Sequence, residues 1–275
     1  MSTNVPCLTF NNGFKVPVLG LGSFRADPNE VGNAVSAALD VGYRHLDCAA
    51  LYDNEEEIGK VLTQKFNSGA LKREEVFITT KPSSEFFSKD ETGQQPFDNT
   101  PIEDTWKAME DLVDLGLTRS IGLSNFNKSQ IERILKICRI KPVMLQVEIS
   151  VNFLNEKLVQ YAKSVGLQVT GFAPFGSPTL MTSVPSPLTE PYVKAIADAH
   201  HKTPAQVLIR HAIQRGICVI PKSTNPERVR SNFQVFDFEL TDAEMKTLNT
   251  SGKQKRLFDV TMWKAHPEYP FDAEY

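Results

Sequence analysis

The sequence lacks a long apolar run. No stretch approaches the roughly 20 consecutive apolar residues that a membrane helix needs. The first ten residues, MSTNVPCLTF, contain no basic region followed by an apolar segment, so a secretory signal peptide is not indicated either. We therefore expect a cytoplasmic protein that does not engage a membrane.

Cysteine is scarce and neither sign of charge dominates. The four cysteines show no CxxC or Cys/His spacing, which predicts neither a metal site nor a disulfide framework. We expect Cys7, Cys48, Cys138 and Cys218 to be small buried apolar residues. A net charge of −3 gives no basic footprint for nucleic acid, so a small molecule is the expected partner.

What the chain does have is an ordinary globular composition, with 41% hydrophobic and 23% charged residues. Its 275 residues are enough to bury a large core. We predict one barrel domain over 1–275, with a C-terminal tail from about residue 250, and a monomer.

Short Val- and Ile-rich runs alternate with longer stretches of helical period, which is typical of repeated βα units around a parallel sheet. The predicted strands are 16–20, 43–47, 76–80, 118–123, 143–147, 167–172 and 217–220. The predicted helices are 28–40, 54–66, 101–115, 128–138, 155–165, 191–214 and 226–234.

Two architectures fit such a pattern, a doubly wound sheet and a (β/α)8 barrel. Gly20 and Gly22 follow a strand, but Arg25 stands where a dinucleotide-binding fingerprint has its third glycine. The glycine signal is therefore weak, and we predict an α/β fold of the (β/α)8 TIM-barrel type. In such barrels the chemistry is carried at the C-terminal ends of the strands.

Three polar residues at predicted strand ends suggest a proton relay. Asp47 ends the second strand, Tyr52 lies in the loop that follows, and Lys81 comes after the third strand. A lysine beside a tyrosine lowers the pKa of the phenol, and an aspartate holds the ammonium in place, so Tyr52 would act as the acid. The alternative is a plain ion pair between Asp47 and Lys81, with Tyr52 capping a loop.

Other strand ends carry groups suited to a cofactor. Ser124, Asn125 and Gln146 offer hydroxyl and amide groups for a carboxamide, and Phe172 offers a flat face for a planar ring. Each of these is otherwise a local cap or a core aromatic. After the last strand, the run 220–228 places a hydroxyl and two cations around a helix N-terminus, which is typical of a phosphate site; the alternative is a solvated helix start.

Three long motifs then resemble those of one known family, the aldo-keto reductases. They are GYRHLDCA at 42–49 with its continuation to residue 59, IGLSNF at 121–126, and the run 220–232. A YPF tail at 269–271 adds to the likeness. The resemblance implies a (β/α)8 barrel and NADPH-dependent reduction of aldehydes and ketones.

The resemblance also implies roles for single residues. Asp47, Tyr52 and Lys81 match three of the four catalytic positions, with Tyr52 as the acid. Ser124, Asn125 and Gln146 match the family's contacts to the carboxamide, and Phe172 matches the aromatic that stacks on the ring. Ser177 matches a pyrophosphate contact. Lys222, Ser223 and Arg228 match the contacts to the 2′-phosphate, and Asn232 matches a residue near the adenine.

The departure from the family is a missing block, which comprises the family's third helix and fourth barrel strand. The family's fourth catalytic residue is a histidine in an Ile-His-Trp-Pro-like run, which this sequence does not contain. Residues 82–100 resemble the loop after that strand, with a junction near Lys81-Pro82. We therefore predict an incomplete barrel of seven strands, with open edges covered by 82–100 and with lowered stability.

Three functions follow from these features. The first is a working NADPH-dependent reductase of aldehydes or ketones. The second is a shortened form that retains NADPH affinity with little turnover, since the histidine and its strand are missing. The third is a Schiff-base lyase with Lys81 as the nucleophile, against which the cationic residues at 222–228 argue.

Overall fold

A computed structural model describes residues 5–26, 29–81, 97–178 and 185–275. Within these ranges, no helix is both long and apolar enough to cross a membrane. The elements alternate between strand and helix along most of the chain, as the sequence pattern predicts.

Seven short parallel strands form the centre of the described structure. They are β3 (Leu21–Gly22), β4 (His45–Asp47), β5 (Phe77–Thr79), β6 (Leu123–Ser124), β7 (Met144–Glu148), β8 (Gln168–Phe172) and β9 (Cys218–Val219). The first three pair in the order β3-β4-β5, and the other four in the order β6-β7-β8-β9.

Parallel bridges from Leu19 to Val219 and from Gly22 to Lys222 join the two sheets into one run of seven strands. The backbone comes very close at this seam: a Cβ on Gly22 would lie 2.8 Å from the Ile220 carbonyl oxygen, so only glycine fits. The fold is the α/β barrel of the (β/α)8 type. Among the described residues no backbone pairing joins β5 to β6. Residues 82–96 lie outside those described, so their covering role and the junction at Lys81-Pro82 stay predictions.

An antiparallel hairpin lies across the N-terminal end of the barrel. Its strands are β1 (Cys7–Thr9) and β2 (Lys15–Pro17). Phe10, in the turn, packs edge-on against Phe77 at the start of β5, with 5.9 Å between ring centroids. The sequence-predicted strand 16–20 is therefore wrong in its bounds, because its first residues belong to this hairpin and the barrel strand begins at Leu21.

Nine α-helices surround the strands in the described part of the chain. They are α1 (Glu30–Val41), α2 (Glu55–Asn67), α3 (Ile102–Asp114), α4 (Lys128–Ile137), α5 (Glu156–Ser164), α6 (Pro191–Ala199), α7 (Pro204–Gln214), α8 (Pro226–Phe233) and α9 (Asp242–Thr250). Helices α1 to α5, α7 and α8 pack their apolar faces on the strands in two large clusters, whereas α6 and α9 pack with α7 in a third.

Two sequence predictions need correction here. The single helix predicted over 191–214 is two helices, because His201 adopts a φ of +52° and Thr203 then caps a new helix with Pro204 at its first position. The strand predicted over 118–123 is only Leu123–Ser124. Helix α9 was not predicted.

The cysteines are all free, as expected, but not all are buried. Cys48 and Cys218 are buried, Cys138 is half-buried and Cys7 is exposed. The prediction of four buried apolar cysteines is therefore wrong for Cys7, which lies on the outer hairpin, and only partly right for Cys138.

The C-terminal tail docks on α4, and one arginine of that helix also binds α3. Arg133 in α4 donates to both oxygens of Glu103 in α3, at 2.8 and 3.0 Å, and to both oxygens of Glu268 in the tail, at 2.8 Å each. Gln130 Nε2 also donates to the Glu268 carbonyl oxygen at 2.9 Å. Arg133 thus joins two helices and the tail by paired, charge-assisted hydrogen bonds.

Two buried histidines make the stability depend on pH. His45 lies inside the barrel, 3.1 Å from Thr79 Oγ1, and His211 in α7 lies 2.7 Å from Asn249 Oδ1. Burial lowers the pKa of each to about 4, against about 6.5 in the unfolded chain. Between these values the unfolded state binds more protons, so stability is lost as the pH falls.

We expect each histidine to lower the free energy of unfolding by up to about 3 kcal/mol as the pH falls from about 6.5 to about 4. Urea unfolding across this window should show a shallower pH dependence for His211→Gln than for the wild type. The exposed His201→Asn is the control, since asparagine tolerates its positive φ. An unchanged slope in His211→Gln would contradict the assignment.

Candidate active site

A buried carboxylate at the end of β4 is the centre of the site. The Asp47 side chain is only 4% exposed, and its Oδ1 accepts from Lys81 Nζ at 2.8 Å and from Gln146 Nε2 at 2.7 Å. Lys81 Nζ also donates to the Cys48 carbonyl oxygen at 3.1 Å. The structure thus brings together side chains that are 34 and 99 residues from Asp47 in the sequence.

Tyr52 stands beside this ion pair. It ends a 3₁₀ helix, Ala50–Tyr52, directly after β4, and its ring packs edge-on against Phe24 with 5.1 Å between centroids. Lys81 Nζ lies 5.6 Å from the centre of the Tyr52 ring. The arrangement places a phenol, an ammonium and a carboxylate at one rim of the barrel.

The predicted lowering of the Tyr52 pKa is wrong for this geometry. Burial raises the pKa of the phenol, and the charges of Asp47 and Cys48 raise it further. The Lys81 ammonium does not reverse this rise, because it donates hydrogen bonds to Asp47 and to the Cys48 carbonyl oxygen. Its charge is therefore partly offset by the nearby carboxylate, so the effect of burial is the larger one and the phenol stays protonated at neutral pH.

The next polar cluster lies at the ends of β6 and β7. Ser124 pairs with Gln146 across the two strands, and the Asn125 N–H donates to the Gln146 carbonyl oxygen at 3.0 Å. Asn125 adopts a φ of +58°, and its buried Oδ1 has no hydrogen-bond partner among the residues that the structure describes. Such an acceptor costs free energy unless a donor reaches it, so Asn125 is a candidate position for a ligand donor.

Phe172 ends β8, where it pairs in register with Glu148 of β7. Its ring is half-buried and meets Phe258 edge-on, with 5.6 Å between centroids and 79° between planes. Ser177 follows in the loop after β8, with a φ of +46°. Both residues therefore lie at the same C-terminal end of the sheet as Asp47.

The last group of predicted residues surrounds the N-terminus of α8. Lys222 and Arg228 are exposed, Ser223 Oγ accepts from the Asn225 N–H at 3.2 Å, and Asn232 is buried. A cleft of about 610 Å³ runs between this end of α8 and helix α1, with Arg228 in its wall. None of Tyr52, Asp47 and Lys81 lines this cleft.

One charged residue of the rim is not among those predicted from the sequence. Glu148, the last residue of β7, is 1% exposed and accepts hydrogen bonds from the backbone N–H groups of Leu257 and Phe258. The signal in the sequence was an acid at the end of a strand, two residues after Gln146 and therefore on the same face of the strand.

Comparison with known proteins decides the family. The aldo/keto reductase family model matches residues 18–95 and 94–253. The chain belongs to the aldo/keto reductase family. The break between the two matched pieces falls inside the 82–100 stretch that the sequence analysis assigned to a loop. Members of this family are oxidoreductases.

Individual aldo/keto reductases resemble the chain over its whole length. Aldo-keto reductase family 1 member A1-A of Danio rerio is 37% identical over 320 positions, covering 98% of this chain and 99% of that protein. Prostaglandin F synthase 2 of Bos taurus is 36% identical and covers 97% of each. The structure of the aldose reductase from Schistosoma japonicum has a TM-score of 0.91 and 47% identity, over 98% of this chain and 100% of that one.

The lengths of these alignments carry further information. The alignment with the Danio rerio aldo/keto reductase has 320 positions, more than the 275 residues of this chain. The Danio rerio protein therefore contains residues that align with gaps in this chain. Since both ends of the proteins are covered, these residues are internal.

Proposed function

We propose that this aldo/keto reductase reduces aldehydes or ketones to alcohols with NADPH. The observation that carries the proposal is the juxtaposition of Tyr52 with the buried Asp47–Lys81 ion pair at the C-terminal ends of the strands. A protonated phenol at this rim is a proton donor for a carbonyl oxygen that gains negative charge. Residue roles, NADPH preference and substrate class are parts of this proposal.

The residues present fit a nicotinamide cofactor. The unpartnered Asn125 Oδ1 is an acceptor for a carboxamide N–H, Ser124 lies beside it, and the half-buried ring of Phe172 offers a stacking surface. Lys222, Ser223 and Arg228 offer two cations and a hydroxyl for a 2′-phosphate, with Ser177 and Asn232 as further contacts. When bound, NADPH supplies the hydride that reduces the carbonyl carbon.

The chain's own residues then hold and deliver the proton. Tyr52 donates its phenolic proton to the substrate oxygen, and solvent returns a proton to the phenolate afterwards. Lys81 stabilises the transient phenolate from one side, and Asp47 fixes the position of the ammonium. An amine that attacks a carbonyl must be uncharged, so the Asp47 ion pair argues against Lys81 as a Schiff-base nucleophile.

A second candidate, a shortened form with weak turnover, is supported by three observations. The alignment with the Danio rerio relative has more positions than this chain has residues. The sequence lacks the Ile-His-Trp-Pro-like run that carries the family's catalytic histidine. Finally, the Tyr52 pKa is raised rather than lowered, which makes the phenol a poorer acid. Both candidates share the cofactor site and differ in rate.

A paired titration separates the two candidates. We expect NADPH to bind with a change in its nicotinamide fluorescence, and its oxidation with a small aromatic aldehyde to exceed the enzyme-free background. NADPH binding without NADPH oxidation would reject the working reductase and support the shortened form. No NADPH binding would reject both candidates. NADH, which lacks the 2′-phosphate, is the matched control ligand and is expected to bind more weakly.

Several sequence-based expectations stay predictions for this enzyme. They are a monomeric state, a cytoplasmic location, and one barrel domain over 1–275 with a tail from about 250. The expected partner is a small carbonyl compound.

A further inference from the structure

Glu148 holds the segment that begins the C-terminal tail. Its Oε1 accepts from the Leu257 N–H at 2.9 Å, and its Oε2 accepts from the N–H groups of Leu257 and Phe258 at 3.1 and 2.8 Å. Two consecutive backbone donors therefore converge on one buried carboxylate. This geometry fixes both the position and the orientation of the peptide, because both carboxylate oxygens take part.

The held segment borders the predicted nicotinamide site. Phe258 meets the Phe172 ring edge-on, and Leu257 Cδ1 lies 3.4 Å from where a Cβ on Gly176 would stand, next to Ser177. Glu148 itself is the register partner of Phe172. One carboxylate thus connects a barrel strand to the side chains that surround the proposed stacking surface.

The neighbouring residue reinforces the same segment. The Arg256 guanidinium lies over the Phe153 ring at 4.5 Å and over the Phe271 ring at 4.2 Å. Burial raises the pKa of Glu148, while the two backbone N–H groups and Arg256 oppose this effect. A carboxylate is retained at a costly, desolvated place, where an apolar side chain would give a plain core.

We infer that Glu148 is a positioning residue for cofactor binding, which acts by holding Leu257 and Phe258 so that Phe258 fixes the Phe172 ring on which the nicotinamide stacks. This inference rests on the proposed function. A positioning role differs from a merely structural one in its effect on binding. Loss of Glu148 should weaken binding of the nicotinamide end of the cofactor and leave binding of the 2′-phosphate end unchanged.

The test compares two ligands that share only the phosphate end. In Glu148→Gln the amide presents N–H groups to backbone donors, so we expect the Kd for NADPH to rise about tenfold, the effect of one lost charged hydrogen bond. The Kd for 2′,5′-ADP, which has no nicotinamide, should stay within about twofold. Glu148→Asp keeps the carboxylate and should restore part of the NADPH affinity. The exposed Glu74→Gln, before β5, is the control.

Two further variants test whether Glu148 acts through Phe258. The double variant Glu148→Gln/Phe258→Ala should bind NADPH no more weakly than Phe258→Ala alone, because the two changes remove the same effect. In a Phe258→Trp background, Glu148→Gln should shift the emission of the added tryptophan to the red and increase its acrylamide quenching, once the emission of Trp106 and Trp263 in the matched Phe258 proteins is subtracted.

Each outcome decides the inference. Unchanged NADPH affinity in Glu148→Gln, or an equal loss for both ligands, would overturn it. If the wild type bound 2′,5′-ADP but not NADPH, the proposed function and the inferred cofactor role would both fail. The tryptophan emission would still show whether Glu148 positions residue 258.

Discussion

Tyr52→Phe is expected to lower the rate of NADPH-dependent carbonyl reduction by about 10²- to 10⁴-fold, the usual contribution of a general acid. The substitution removes only the phenolic oxygen. The ring remains packed on Phe24, so the site keeps its shape. The rate is measured as NADPH oxidation at saturating aldehyde, and the Kd for NADPH should stay within about threefold.

The matched control is Tyr161→Phe, which changes a half-buried tyrosine on α5, remote from Asp47 and Lys81. Its rate should equal that of the wild type. Turnover that survives in Tyr52→Phe would assign proton donation to another group. A wild type with no turnover above the Tyr52→Phe rate would identify the shortened, weakly active form.

Asp47→Asn is expected to lower the free energy of unfolding by about 3 kcal/mol, the low end for breaking a buried ion pair, since the Lys81 side chain is 25% exposed. The new amide still offers Gln146 an oxygen. The Lys81 ammonium, however, loses its counter-ion in a place where water reaches it only partly. Urea unfolding at pH 7 measures the loss, and Asp104→Asn, at an exposed ion pair with Lys107, is the control.

A double-mutant cycle then decides between a proton relay and a plain ion pair. The variant Asp47→Asn/Lys81→Met should be more stable than the sum of the two single changes predicts, by about 1–3 kcal/mol, because no uncompensated charge remains. If the pair is only structural, the double variant recovers activity together with stability. If Lys81 stabilises the phenolate, activity stays low although stability returns.

The sequence indicated the barrel because its strands and helices differ in period and length. Strands 43–47, 76–80 and 143–147 match β4, β5 and β7 to within a few residues, since each is a short run between two stretches of helical period. The hairpin Cys7–Thr9 with Lys15–Pro17 was missed because its strands have three residues each and are too short to show a period.

The sequence predicted which side chains lie at the rim of the barrel, but not which of them hydrogen-bond to each other. A strand end predicts which rim a side chain occupies, and so Asp47, Tyr52 and Lys81 were found. Which partner a side chain selects depends on distances that the sequence does not contain. Gln146 was assigned to a carboxamide, yet its amide donates to Asp47. The Tyr52 pKa depends on burial and on how the Lys81 charge is shared, which only coordinates reveal.

Arg133 has a consequence for local unfolding. Its guanidinium binds Glu103 of α3 with two hydrogen bonds and Glu268 of the tail with two others. The tail can therefore detach while α3 and α4 stay joined, because the bonds to Glu103 do not depend on Glu268. Backbone amide hydrogens around residue 268 are then expected to exchange with solvent faster than those within α4.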